Sequence, residues 1–231
     1  MRKDIISLVD QQLSKSRGAR PGVMDTLGLG QPPAKPGPVI TISRQLGSGG
    51  RLVAGRLAER LGWSLWDKDL VDAIAKNADV SHRIVADFDE KTISEIDILA
   101  RTIAGEKEIG RFYYGHHLAR VILAVARHGN AIILGRGANF LLTGALNVRI
   151  VASEELRIQS LMKYGEMSRE EALDRIHESD RERAEFIRRL YNKDIEDTLA
   201  YDLVITLDEL GIEGVAEIIL VALQVKNGIP H

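Results

Sequence analysis

The chain has 231 residues, 45% of them hydrophobic, with no cysteine and a formal net charge of −2. That is enough for one sizeable core. It excludes disulfides and thiolate metal sites and argues against a general polyanion-binding surface, so phosphate recognition has to come from local basic clusters.

In chain order, residues 3–16 carry Ile5, Ile6, Val9 and Leu13 at helical spacing, which predicts a short amphipathic helix docked on its own domain or on a partner. Residues 1–16 are accordingly a candidate surface for a protein partner or for self-association. Five of the six prolines and five glycines lie between positions 17 and 38, so residues 17–37 read as a linker. The main domain is expected at 38–226. It opens with an apolar, β-branched strand, Val39–Ser43, and a glycine-rich turn. A helix over 50–61 follows, with Val53, Leu57 and Leu61 on one face. A short strand, Trp63–Trp66, leads to Asp67-Lys68-Asp69. Residues 69–128 read as mostly helical, with Thr92-x-x-Glu95 as a capping box. A later helix carries Leu118, Val121, Ile122 and Val125 and ends at His128-Gly129. Ala131–Leu134 and Val148–Val151 are apolar strands. Ser168-x-x-Glu171 opens a long charged helix. Tyr201–Leu207 is the last strand, before a helix bearing Ile212, Val215, Ile219 and Leu223. Apolar strands alternating with helices predict an α/β fold with a parallel sheet covered on both faces. Ligands of such sheets bind beyond the carboxyl ends of the strands.

The turn Gly47-Ser48-Gly49-Gly50-Arg51 stands between a strand and a helix. There, backbone amides and a helix N-terminus converge on one point, an arrangement suited to phosphate. A P-loop reads G-x-x-x-x-G-K-[ST]. Here Gly50 holds the lysine position, and Arg51 and Leu52 follow it without a hydroxyl. Two basic groups accompany the turn. Asp180-Arg181-Glu182-Arg183 with Arg188-Arg189 would suit a transferring phosphate, since guanidinium forks onto two oxygens. The interleaved acids equally suit a solvated helix with i,i+4 pairs. Gly135-Arg136-Gly137 follows a strand, where an arginine holds a substrate phosphate or pairs with a nearby acid. Asp67 and Asp69 could position Mg²⁺ or a sugar hydroxyl, or cap a helix. The histidines lack ligand spacing, so no protein metal site is expected. Trp63, Trp66, Tyr113 and Tyr114 read as packing residues. No nucleic-acid role, no membrane span and no signal peptide are expected; the cysteine usage suits the cytoplasm.

Together, Ile40–Arg51, Leu57–Trp63 with Asp67-Lys68, Ile132–Ala138, Asp180–Ala184 with Arg188, Tyr201–Thr206 and Leu210–Gly214 resemble the cytidylate kinase-like family, a branch of the nucleoside monophosphate kinases. The resemblance covers about residues 38–226. It implies a P-loop kinase fold with a helical monophosphate-binding insert after Asp67 and an arginine-bearing lid near 180–190. It implies transfer of the γ-phosphoryl of ATP, with Mg²⁺, to a nucleoside monophosphate, CMP and dCMP being the first candidates. By the same resemblance Arg181, Arg183 and Arg188 are catalytic. Arg44, Gly47, Ser48, Gly49, Gly50 and Arg51 hold the nucleotide, and Asp67, Lys68 and Arg136 hold the acceptor.

The chain departs from the family pattern in three places. Arg44 replaces the first loop glycine, Gly50-Arg51-Leu52 replaces Lys-Gly-Thr, and Gly137 replaces the Asp of a Gly-Arg-Asp turn. Arg44 or Arg51 would then supply the missing cation, and Ser43 or Ser48 would approach Mg²⁺. The alternatives are a nucleotide-binding regulatory module without catalysis, or a kinase for another small metabolite.

Overall fold

The computed structural model describes residues 2–18, 36–86, 88–104 and 109–228. Most of the expected linker, positions 19 to 35, lies outside them. The chain divides into two compact units, Met1–Val39 with Ala58–Ile132 and Ile40–Leu57 with Ile133–His231. A five-stranded sheet has the order β2-β3-β1-β4-β5. Its strands are β1 (Val39–Arg44), β2 (Ser64–Trp66), β3 (Ala131–Leu134), β4 (Leu146–Val151) and β5 (Leu203–Thr206). The pairs β1–β4 and β4–β5 are parallel. β1 and β3 are almost wholly buried, as expected for strands covered on both faces.

In the first unit, α1 (Arg2–Gly18) packs against β2 and against three helices, α3 (Lys68–Ala75), α4 (Ala78–Val85) and α6 (Ile109–His128). Val9 and Leu13 are buried. Gln12 Oε1 accepts the Leu65 amide at 2.8 Å, and Ser16 Oγ lies 2.8 Å from Ser64 Oγ. Of the two dockings expected for this helix, on its own domain or on a partner, the structure shows the first. β2 is an edge strand whose backbone and side chains need cover, and the helix supplies both.

The helical stretch holds a correction. α5 (Glu90–Ala104) starts before Thr92, and Asp89 is its cap, accepting the Thr92 amide at 2.7 Å. Asp is the stronger N-cap, so the capping box read at Thr92 and Glu95 does not form. Glu95 instead meets Arg127 at 3.0 Å. Trp63 and Trp66 are buried, Trp66 donating from Nε1 to Ser64 Oγ at 2.8 Å.

In the second unit, α2 (Gly50–Leu61) begins directly after the glycine-rich turn and buries Val53, Ala54 and Leu57. The register pairs Thr41 with Asn147, and their side chains bond at 2.6 Å. This polar link inside a largely apolar pairing penalises any slip of β1 against β4. α8 (Glu154–Gly165) and α9 (Arg169–Tyr191) form a hairpin around Ile158, Ala172 and Ile176. The expected capping box forms at Ser168 and Glu171. The chain finishes with α7 (Ala138–Leu141) before β4 and α10 (Gly211–Lys226) after β5.

Candidate functional site

The second unit gathers a phosphate-loop-like turn and a set of arginines beyond the carboxyl end of β1. The turn needs its glycines. Gly47 and Gly49 have φ of +77° and +72°, a region that L side chains avoid. A Cβ at Gly47 would also stand 2.7 Å from the Arg157 carbonyl oxygen. The turn then feeds α2, whose first amides have no partner inside the helix. Ser48 is fully buried and donates to the Gln45 carbonyl at 2.9 Å. Its hydroxyl therefore faces inward and braces the turn, rather than approaching a metal ion as the sequence suggested.

Of two buried arginines that sequence reasoning did not single out, Arg157 holds this turn and Arg149 holds the end of β1 that leads into it. Arg157, 5% exposed, donates from Nε to the Leu46 carbonyl at 2.8 Å and from Nη2 to Asp180 at 2.7 Å. Arg149, 3% exposed, sits opposite Ser43 in the β1–β4 register and donates to its Oγ at 3.0 Å. It also pairs with Glu196 and lies over the Tyr201 ring, 5.7 Å from its centroid. Ser43 is thus engaged by Arg149, with the Tyr201 hydroxyl a further 3.5 Å away. Burial raises the Tyr201 phenol above its usual range, so it stays a neutral donor at physiological pH. A sequence signal existed for Arg149, a charged residue inside the apolar run Leu146–Val151. None existed for Arg157.

The three lid candidates separate. Arg183 is half-buried and donates from Nη1 to the Arg44 carbonyl at 3.2 Å. Burial pulls its guanidinium below the ordinary arginine value, nearby Asp180 opposes this, and Arg157 and Arg149 add to it. It remains a cation at neutral pH all the same. Arg181 and Arg188 are exposed, two residues before and five residues after Arg183, spacings that place neither on its face of the helix. The structure therefore brings Arg183 to the loop and leaves the other two on the outer side of α9.

Gly135, Arg136 and Gly137 all have positive φ, +85°, +56° and +68°. A non-glycine residue held there carries strain that the surroundings must sustain. The surroundings are α9: Tyr191 donates to the Arg136 carbonyl at 2.6 Å, and the Arg136 guanidinium lies 4.7 Å from the centroid of Phe186. A Cβ at Gly137 would collide with Tyr191 and stand 2.9 Å from Ile187 Cδ1. One helix therefore reaches both the glycine-rich turn and the Arg136 turn. Asp67 and Lys68 belong to the first unit. Asp67 is the N-cap of α3 and accepts the Leu70 amide at 3.0 Å. No cluster of three or more His, Cys, Asp or Glu side chains suited to a metal ion occurs among the described residues.

The start of the α8–α9 hairpin is tied to the sheet by Asp208. Its carboxylate accepts the Ser153 amide at 3.0 Å and the Thr206 hydroxyl at 2.7 Å, with the Ser153 hydroxyl as a further donor. These bonds lower its pKa to about 2, from 3.8. A carboxylate depressed on folding contributes stability above its unfolded pKa and loses it as pH falls through the folded one. Thermal unfolding is therefore expected to occur at lower temperature as pH drops from about 4 toward 2. Asp208→Asn should flatten part of that dependence in scans at pH 5, 4 and 3. An identical slope in the variant would remove Asp208 from the account.

A parallel α/β sheet with a glycine-rich turn opening a helix, backed by buried arginines, is an arrangement suited to phosphate. Comparison narrows the class. Residues 39–209 match the model of the cytidylate kinase-like family. A cytidylate kinase from Archaeoglobus fulgidus is 30% identical over 196 residues, spanning 81% of this chain and 96% of that protein. The crystal structure of an uncharacterized protein from Eubacterium ventriosum superposes with a TM-score of 0.57 at 21% identity, over 81% of this chain and 98% of that one. That likeness supports the fold alone. The chain belongs to the cytidylate kinase-like family. No helix among the described residues is long and apolar enough to cross a membrane.

Proposed function

We propose that the protein is a phosphotransferase that moves the γ-phosphoryl of MgATP to a nucleoside monophosphate, with CMP and dCMP the first acceptors to try. The observation that carries this reading is the glycine-rich turn fastened from behind by Arg157 and Arg183 through the Leu46 and Arg44 carbonyls. The residues suit a polyphosphate: two left-handed glycines shape the turn, α2 begins directly from it, and Arg157 and Arg183 bond the carbonyls beside it.

In this reading an oxygen of the acceptor phosphate attacks the γ-phosphorus, the bond to the β-bridging oxygen breaks, and ADP leaves. Such transfer needs positioning and charge neutralisation rather than a protein nucleophile. The turn amides hold the nucleotide through Gly47, Ser48, Gly49 and Gly50. Arg183 supplies charge from α9, with Arg181 and Arg188 contributing less from its outer face. Arg136 takes the acceptor phosphate, and Asp67 and Lys68 belong to the acceptor side. No described side chain is assigned to magnesium, which would come with ATP and neutralise phosphate charge.

The absence of the loop lysine and hydroxyl favours a second reading, a nucleotide-binding module without turnover. A coupled ADP-release assay with MgATP against CMP, dCMP, UMP, AMP and GMP separates the two. Turnover with CMP or dCMP is expected. ATP binding without release of ADP for any acceptor would move the assignment to the second reading, or to a different small acceptor.

A further inference from the structure

We infer that Arg44 supplies the positive charge that a phosphate loop ordinarily takes from its lysine, and that Gly50 is glycine because the Arg44 side chain fills the space beside it. This deepens the phosphotransferase reading and rests on it. Sequence proximity alone left Arg44 and Arg51 as equal candidates, and the packing distinguishes them.

A Cβ at Gly50 would stand 2.6 Å from the Cβ of Arg44 and 3.0 Å from its Cγ. Real Cβ atoms do not approach that closely, and Gly50 is itself buried. A lysine at position 50 is therefore incompatible with the Arg44 stem where it now runs. The other end of that side chain lies against Gly135. A Cβ at Gly135 would collide with Arg44 Nη1 and stand 3.4 Å from Cζ. The side chain thus starts against residue 50, at the N-terminus of α2, and carries its guanidinium to the turn that follows β3. Gly135 is the residue next to Arg136, so the charge stands between the nucleotide turn and the turn read as the acceptor's.

Arg44 is half-buried, and its backbone is fixed at both faces. Arg183 donates to its carbonyl, and its neighbour in the β1–β4 register is Ile150. A guanidinium held this way loses little freedom when it meets a phosphate and presents a planar fork to two oxygens. Arg51 lies one residue into α2 and is exposed. It has neither the enclosure nor the path across the turn. Positions 44 and 50 have exchanged roles: the residue types glycine and cation are swapped between them, and the space between the two positions admits one side chain only.

The test uses the full chain and reads binding as well as activity. Calorimetric Kd values for MgATP and for tripolyphosphate are measured for the parent, Arg44→Gln, Arg51→Gln and Arg60→Gln, the last removing the same charge from the exposed far end of α2. Removing a charged hydrogen-bond partner is expected to weaken both ligands about 10- to 100-fold in Arg44→Gln. Smaller losses are expected in Arg51→Gln, and Arg60→Gln should stay near the parent.

Arg44→Gly is then compared with the exchanged pair Arg44→Gly, Gly50→Lys. The pair is expected to recover at least tenfold of the affinity lost. A stability cycle gives a readout independent of any ligand. Gly50→Ala should lower Tm in the parent and not in the Arg44→Gly background.

An Arg51→Gln loss equal to or above that of Arg44→Gln overturns the inference. So does a parent that binds and turns over nucleotide while Arg44→Gln matches it. A parent that binds neither MgATP nor tripolyphosphate overturns the phosphotransferase reading itself, and the inference with it.

Discussion

Arg183→Ala is expected to lower kcat for the acceptor found in the ADP-release assay by on the order of 10²–10³, the usual cost of losing one charge-stabilising donor. The expectation comes from position. Arg183 is the lid candidate that reaches the glycine-rich turn, through the Arg44 carbonyl at 3.2 Å. Its surroundings already hold two further arginines, Arg149 and Arg157. A cation kept among like charges and partly desolvated gains most when a phosphate arrives to neutralise it. The loss should fall on kcat more than on the acceptor's KM, because charge builds up on the transferring group in the transition state. The same substitution at Arg181 or Arg188 should cost less, since both face outward on α9. Steady-state kinetics on the three variants, with far-UV circular dichroism to confirm folding, decide the matter. Equal losses at all three would mean that α9 turns its outer face onto the phosphates during turnover. An undiminished kcat in Arg183→Ala would remove it from the chemistry.

Arg157→Met should produce the largest loss of stability among the single substitutions around the turn. The guanidinium is 5% exposed and makes two charge-assisted bonds, to the Leu46 carbonyl and to Asp180. Removing it leaves that carbonyl without its donor and Asp180 without its partner. Asp180 is about a third exposed, its side chain at 36%, so water compensates part of the charge, and the cost falls below that of a fully buried broken pair. A loss of about 2–3 kcal/mol is expected. In a chain of this size that lowers Tm by roughly 5–10 °C. Asp180→Asn should cost less, because Arg157 keeps its bond to Leu46. Differential scanning calorimetry of the two variants tests the ranking. A larger fall in Asp180→Asn would show that the ion pair, rather than the carbonyl contact, holds the turn.

Both predictions depend on residues whose roles were unequally visible in the sequence. Arg183 stood in a charged run where a solvated helix explained the pattern as well as a phosphate site did. Seven of its neighbours from 178 to 189 are charged, so helical periodicity could place Arg181 and Arg188 together but could not say which side of α9 meets the sheet. The buried stripe of Ala172, Ile176, Ser179 and Ile187 decided that. Arg157 follows an ordinary N-cap, Ser153 with two acids after it. Nothing local distinguishes it from a surface arginine. Only the return of α9 beside α8 gives it Asp180, 23 positions later.

While α7 and α8 received no reading of their own, the sequence by itself determined the five strands in their order, the α/β class and the turn at 47–51. Each of these follows from local rules: apolar runs of strand length, helical spacing, and glycines where φ must be positive. The capping box at Ser168 and Glu171 was legible for the same reason, since its bonds span three residues. The box at Thr92 failed because Asp89, a better cap just upstream, competed for the same amide. What only the tertiary structure decided involves partners far apart in the chain. These are the cover that α1 gives to β2, the inward turn of the Ser48 hydroxyl, and the two buried arginines. The exclusion of any side chain at Gly50 by Arg44 belongs with them, although six positions separate the two, because it is set by how β1, the turn and α2 fold back on one another. Periodicity reports which face of an element is apolar. Which polar groups that face then traps, and what they bond, is fixed by packing density, where a few tenths of an ångström separate a contact from a collision.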